Sequence, residues 1–275
     1  MNIYEQYLRG PMMPHIWCSG CGNGIVLKAL LRAIHRLNVS RDDLCMVSGI
    51  GCSSRLPGYV DFNTLHTTHG RALAFATGLK LARPHMTVVV ISGDGDALAI
   101  GGNHFIHAAR RNIDLTLILF NNFIYGMTGG QCSPTTPLER LATTAPYGQI
   151  EPPFDVCRLA EAAGATYVAR GTAYHASQLD RLIEGGIRSR GFSVIEVLVP
   201  CPTIYGRRNR LGDGVAMLKW QKENAVEVRA ARKLDPNELE GKVVTGVLFT
   251  AQRPEYCQEY ERMMARVQGK GERGL

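Results

Sequence analysis

Apolar and polar positions along the chain alternate between two periods. GNGIVLKALLRAIHRLN (22–38) places Ile25, Leu27, Leu30, Leu31 and Ile34 mostly on one side, the pattern of an amphipathic helix. LCMVS (44–48), TVVVIS (87–92), LTLILF (115–120) and SVIEVLV (193–199) are short apolar runs rich in β-branched residues, and read as strands. Between them, HGRALAFATGLKLAR (69–83), NHFIHAARRN (103–112), VCRLAEAAG (156–164) and YHASQLDRLIEGGIRS (174–189) have helical spacing. Strands alternating with helices predict βαβ units, hence an α/β fold with a mostly parallel sheet. Strands apolar throughout are those of a sheet covered by helices on both faces. There is no internal repeat. After Pro202 the pattern changes to a loop, IYGRRNRLGDG (204–214), and a polar, partly helical tail. The expected division is residues 1–204 as the α/β unit and 205–275 as an extension packing on that core or on a partner.

Composition adds limits. The chain has 275 residues, long enough for one α/β domain with appended segments. No apolar run approaches the roughly 20 residues a bilayer needs, and MNIYEQYLRG lacks the features of a signal peptide, so a cytoplasmic protein without membrane contact is expected. The formal net charge of +7 is diffuse, with no basic block interleaved with aromatics, and gives no reason to expect nucleic-acid binding. Eight cysteines in such a chain do not suggest a disulfide framework; they suggest metal or catalytic use for some and burial for others.

The residues that follow the strands carry the chemistry. GIGCSSR follows LCMVS, GDGDALAIGG follows TVVVIS, NNFIYGMTGGQ follows LTLILF, and Cys201 follows SVIEVLVP. Ligands of open α/β sheets bind outside the carboxyl ends of the strands. Asp94 offers a carboxylate and Asn122 an amide oxygen, ligand types that suit Mg²⁺ together with phosphate oxygens. Gly93 and Gly95 allow backbone N–H groups to approach a diphosphate at the start of the next helix. Neither Gly49–Ser54 nor Gly93–Leu98 completes a dinucleotide fingerprint, and there is no P-loop.

Gly-Asp-Gly, 25 residues, then Asn-Asn resembles the signature of thiamine diphosphate enzymes. HIWCSGCGNG, GIGCSSR, HTTHGRALAFATG, SGDGD, NNFIYGMTGGQCSPTT and VPCPT occur in this order. Over about residues 10 to 205 they resemble the β-subunit of a 2-oxoacid:ferredoxin oxidoreductase, most closely the 2-oxoglutarate type. That resemblance implies a thiamine-diphosphate-binding fold and oxidative decarboxylation of a 2-oxoacid, giving acyl-CoA and CO₂. Electrons would pass one at a time through a cluster to ferredoxin, and reverse flow would fix CO₂. It implies that Cys18, Cys21, Cys52 and Cys201 hold one [4Fe–4S] cluster, and that Asp94, Asn122 and the Ile124 carbonyl hold Mg²⁺. Ser53, Gly93, Gly95, Asp96, Gly126 and Thr128 would line the cofactor, with His69 near the reacting centre. Arg55, three residues past Cys52, would meet the distal carboxylate of 2-oxoglutarate. The carboxylate that activates the aminopyrimidine ring comes, in such enzymes, from the α-subunit, so an (αβ)₂ assembly is expected and this chain alone is expected to be inactive.

Four thiolates are the usual complement of a [4Fe–4S] cluster. A thioredoxin-like role for Trp-Cys-x-x-Cys needs a preceding strand, and MNIYEQYLRGPMMPHI is not one. Structural Zn²⁺ also takes four cysteines, usually as paired knuckles, whereas here the third and fourth come singly from strand ends. Cys45 and Cys157 read as buried apolar residues, and Cys132 follows the cofactor loop. A different class of protein, an iron–sulfur carrier or scaffold with a decayed thiamine site, is disfavoured by the intact GDG and NN pair.

Overall fold

The computed structural model describes residues 3–269. In chain order its elements are α1 (Ile3–Tyr7), α2 (Asn23–Leu37), β1 (Leu44–Ser48), β2 (Asn63–His66), α3 (Ala72–Ala82), β3 (Thr87–Gly93), α4 (Gly102–Arg111), β4 (Thr116–Asn121), β5 (Ile124–Tyr125), β6 (Gln131–Cys132), α5 (Val156–Ala163), β7 (Tyr167–Thr172), α6 (Ala176–Arg188), β8 (Ser193–Leu198), α7 (Gly214–Asn224), β9 (Ala225–Glu227), α8 (Val228–Ala231), β10 (Val243–Thr250) and α9 (Tyr256–Val267). The eight-stranded sheet runs β2-β1-β3-β4-β8-β7-β10-β9, parallel throughout except where β10 pairs antiparallel with β7.

The all-apolar strands are apolar because each face of the sheet has its own core. In β3, Val89 and Ile91 pack toward α2 and α6, while Val88 and Val90 pack toward α3, α4 and α5. β4 divides the same way, with Ile118 and Phe120 on one side and Leu117 and Leu119 on the other. This is the period-two alternation of a strand buried twice over.

The four strands read from the sequence, β1, β3, β4 and β8, stand next to one another in the sheet. Their parallel pairing brings the segments after residues 48, 93, 121 and 198 to one edge of the molecule. The structure also departs from expectation. β2 and β7 occur where no strand was anticipated. Helix α3 starts at Ala72, leaving His69 in the preceding turn. The segment after Cys201 contains a wide helical turn, Pro202–Gly206, where a plain loop was expected. The tail contributes strands: β10 joins the main sheet and β9 pairs with it, so residues after 204 extend the same sheet. Among the described residues no helix is long and apolar enough to cross a membrane.

Candidate functional site

A cavity of about 220 Å³ opens at the carboxyl ends of β1, β3 and β4. Ile50, Cys52 and Ser53 line it from the turn after β1, Gly93, Asp94, Gly95 and Asp96 from the turn after β3, and Asn122, Ile124, Gly126 and Thr128 from the loop after β4. His69 completes one wall. Both the segment after Asp94 (Gly95–Ile100) and the segment after Cys201 (Pro202–Gly206) are wide π-type turns. Such turns are uncommon and recur at functional sites.

Asp94 is 2% exposed. Its Oδ2 accepts from Ser133 Oγ at 2.6 Å and Thr135 Oγ1 at 2.7 Å. Burial lifts its pKa to about 6, against the lowering effect of those hydroxyls and of nearby backbone N–H groups. The other oxygen, Oδ1, faces the Asn122 amide, whose terminal position lies 3.2 Å from Oδ1 and 2.7 Å from the Ile124 carbonyl oxygen. With its N–H₂ there, Asn122 donates to both; with its oxygen there, three oxygens converge. Adjacent oxygens around Mg²⁺ at 2.0–2.1 Å stand roughly 3 Å apart, so the second arrangement fits that ion. Phe123 makes the turn possible with φ 64°, a left-handed conformation that non-glycine residues rarely adopt.

Asp96 lines the cavity, but its carboxylate is spent on the protein. Oδ1 accepts from Gly70 N at 2.7 Å and Ile50 N at 3.4 Å, and Oδ2 from Ser92 Oγ at 2.5 Å. It therefore ties the β1 and β3 turns together. His69 Nδ1 lies 2.6 Å from Asp96 Oδ1 without the alignment of a hydrogen bond. Thr128 Oγ1 donates to Gln131 Oε1 at 2.5 Å. Arg55 is exposed, has no carboxylate partner among the described residues, and stands outside the residues that line the cavity. Its field, after burial, helps lower the pKa of His66.

The four cysteines come together. Trp17 donates its indole N–H to the Cys52 carbonyl at 2.6 Å, fastening the Cys18–Cys21 loop to the turn after β1. Gly22 lets that loop reach β8: a Cβ there would stand 2.5 Å from Pro200 Cδ. Burial pushes the Cys21 thiol up to about 12, with the neighbouring Cys201, Cys52 and Cys18 adding to the rise. Burial also raises Cys52 and Cys201, and each feels Cys18. The nearby backbone of Asn23 for Cys21, of Met127 for Cys52, and of Tyr205 and Ile204 for Cys201 offsets part of that rise. Cys18 is exposed and Cys21, Cys52 and Cys201 are half-buried; such a set suits a group that draws the protons off and leaves thiolates. Among the described residues no three His, Cys, Asp or Glu side chains close on one point as they would around a single ion. Cys45, Cys157 and Cys257 are buried, and Cys132 sits in the β5–β6 hairpin opposite Ile124.

Gly126 joins the two halves. A Cβ on it would lie 3.7 Å from the Asn122 amide and 3.8 Å from both Cys52 Sγ and Cys201 Sγ. The loop that lines the cofactor cavity thus passes in contact with two of the sulfurs. Sequence reasoning missed Ser133 and Thr135, which hold Asp94, and Tyr125, whose hydroxyl donates to the Gly95 carbonyl at 2.9 Å. The polar run QCSPTT so close behind the cofactor loop was their signal.

Residues 49–197 match the family described as thiamine pyrophosphate enzyme, C-terminal TPP binding domain. The chain is 56% identical over 269 residues to the 2-oxoglutarate synthase subunit KorB of Methanothermobacter marburgensis, covering 98% of this chain and 94% of that one. It is 54% identical over 270 residues to the subunit of the same name from Methanocaldococcus jannaschii, covering 98% and 100%. The solved 2-oxoglutarate:ferredoxin oxidoreductase from Magnetococcus marinus, with 2-oxoglutarate, coenzyme A and succinyl-CoA bound, superposes with a TM-score of 0.86 at 35% identity, over 99% of this chain and 92% of that one. With the fold, the thiamine-binding segment and relatives matched over nearly their whole length all in agreement, this chain belongs to the thiamine-diphosphate-binding β-subunits of the 2-oxoacid:ferredoxin oxidoreductases.

Proposed function

We propose that the chain is the β-subunit of a CoA-acylating 2-oxoglutarate:ferredoxin oxidoreductase, converting 2-oxoglutarate and coenzyme A to succinyl-CoA and CO₂ and passing electrons through one [4Fe–4S] cluster to ferredoxin, reversibly. The observation that carries this reading is Gly126, whose position between Asn122 and the sulfurs of Cys52 and Cys201 sets an oxygen site and a thiol site on one loop. In this reading Asp94, Asn122 and the Ile124 carbonyl hold Mg²⁺. Ser53, Gly93, Gly95, Asp96, Gly126 and Thr128 wall the diphosphate, Gly93 and Gly95 through their backbone and Asp96 by holding the two turns together. Cys18, Cys21, Cys52 and Cys201 are the cluster ligands. When bound, thiamine diphosphate would supply the carbanion chemistry at the 2-oxo carbon, and a cluster held by Cys18, Cys21, Cys52 and Cys201 would supply one-electron transfer. His69, one-third exposed at the cavity wall, is placed to hold or move a proton near the reacting carbon. Arg55 offers an unpaired guanidinium, on the same turn as Cys52, for the distal carboxylate of the substrate.

The chain has Asp94 and Asp96 as its acidic residues in the cavity, and both are engaged. In this reading the carboxylate for the aminopyrimidine ring comes, as the family resemblance implies, from an α-subunit in an (αβ)₂ assembly. Residues 205–275 form the extension that covers the core or meets that partner. The test is to purify the complex under anaerobic conditions and measure bound thiamine diphosphate, iron, and CoA-dependent ferredoxin reduction with 2-oxoglutarate. Stoichiometric cofactor and a preference for 2-oxoglutarate over pyruvate are expected. A complex that carries a cluster but binds no thiamine diphosphate would refute the reading.

A further inference from the structure

Strand β8 reads Ser-Val-Ile-Glu-Val-Leu and is buried along its whole length. Glu196 falls where the alternation calls for an apolar side chain, on the α5 face beside Val194, and is 2% exposed. Its register neighbour on β7 is Arg170, whose Nε donates to Glu196 Oε2 at 2.6 Å. Arg170 Nη2 goes on to Asp155 Oδ1 at 2.7 Å, at the start of α5. A buried ion pair is weak evidence for stability, since apolar residues of similar volume often do as well or better. The pair has another consequence.

Glu196 Oε1 accepts from Asn121 Nδ2 at 2.8 Å. A carboxylate only accepts, so the Asn121 amide must turn its N–H₂ toward Glu196 and its oxygen the other way. That oxygen takes Phe123 N–H at 3.1 Å and lies 2.9 Å from Thr135 Oγ1. The first contact fixes the left-handed residue that turns Asn122 and the Ile124 carbonyl toward Asp94. Thr135 Oγ1 gives its one proton to Asp94 Oδ2 at 2.7 Å, so the second is a close approach of oxygens beside that carboxylate. Asn121, Thr135 and Asp94 are each 2% exposed.

We propose that Glu196, braced by Arg170, is a positioning residue for the Asp94–Asn122–Ile124 oxygen site: it locks the Asn121 amide, which holds the Phe123 turn in place. This rests on the reading of that site as the Mg²⁺ site. Glu196 touches neither substrate nor cofactor, and acts through Asn121.

The test uses the assembled αβ complex, stripped with chelator and titrated with Mg²⁺ at fixed thiamine diphosphate, with cofactor binding followed by circular dichroism. Glu196→Gln and Asn121→Ala should each raise the Mg²⁺ half-saturation by about 10- to 100-fold, the usual effect of losing an outer partner of a metal site. The cluster absorption and melting temperature, measured on the same samples, should change little, and kcat should recover as Mg²⁺ saturates. An unshifted Mg²⁺ half-saturation in either folded variant would overturn the proposal, as would loss of cluster, fold and cofactor together in both. If the unmodified complex binds thiamine diphosphate with no dependence on Mg²⁺, the metal reading fails instead.

Discussion

Trp17 donates its indole N–H to the backbone carbonyl of Cys52 at 2.6 Å, and so links two cysteine-bearing segments that lie far apart in sequence. The ring is 8% exposed and packs against His15 and Tyr59. Trp17→Phe keeps most of the packing and leaves that carbonyl only the longer contact from Arg55 N–H, at 3.4 Å. It should destabilise the chain by about 1–2 kcal/mol and lower the iron retained through purification. Denaturant unfolding and iron analysis of the variant check both, and unchanged values would show that the contact does not secure the cysteine loop.

Iron should be present at about four atoms per chain, with a broad brown absorption band. Cys201→Ser should remove the band while the sheet still forms, because Cys201 lies beyond the end of β8. An anaerobic preparation containing zinc and no iron would contradict the cluster assignment.

Asp94→Ala should abolish Mg²⁺-dependent binding of thiamine diphosphate. Asp94 also predicts a pH dependence. Its folded pKa is raised, from 3.8 to about 6, so in the metal-free chain ionisation opposes folding. The stability it contributes is present in full below about pH 4 and is lost as pH rises through about 6. About two units correspond to about 3 kcal/mol. Mg²⁺ needs the ionised form, so its affinity should be flat above pH 6 and fall about tenfold per unit below. Titrations at pH 5, 6, 7 and 8 measure this, and a flat response across the series would show that Asp94 is not the titrating ligand.

Arg55→Ala should lower kcat/KM for 2-oxoglutarate by about 10- to 100-fold, the cost of a carboxylate losing a charged partner. It should leave 2-oxobutyrate, which has no distal carboxylate, little changed. Equal losses with both substrates would make Arg55 a structural residue of its turn.

The sequence made the centre of this molecule legible because burial on both faces leaves these strands with few polar positions. LCMVS, TVVVIS, LTLILF and SVIEVLV could hardly be anything else, and their ends located the site. The strands that escaped notice have mixed composition. β2 (NTLH) is an edge strand with exposed positions, and β7 (YVARGT) carries Arg170, whose partner Glu196 cannot be found by periodicity. β10 (VVTGVLFT) is β-branched enough, but Gly246 interrupts it and its register shifts between Val247 and Phe249. Asp94 and Asn122 were recognisable by residue type and spacing. Ser133, Thr135 and Asn121's link to Glu196 were not, because they depend on which strands become neighbours.

Gly126 passes between sulfurs that the chain supplies from opposite ends of its synthesis. Cys18, Cys21 and Cys52 leave the ribosome early, while Cys201 follows only after β8, which must insert between β4 and β7 before its thiol can join the others. No fragment that ends before Cys201 contains all four thiols, and contacts so distant in sequence carry a loop-closure cost that slows folding. In the reading proposed above, cluster insertion would wait for β8 to take its place between β4 and β7. A chain that stalled before β8 would then be left without its fourth thiol, and a colourless product would report the failure.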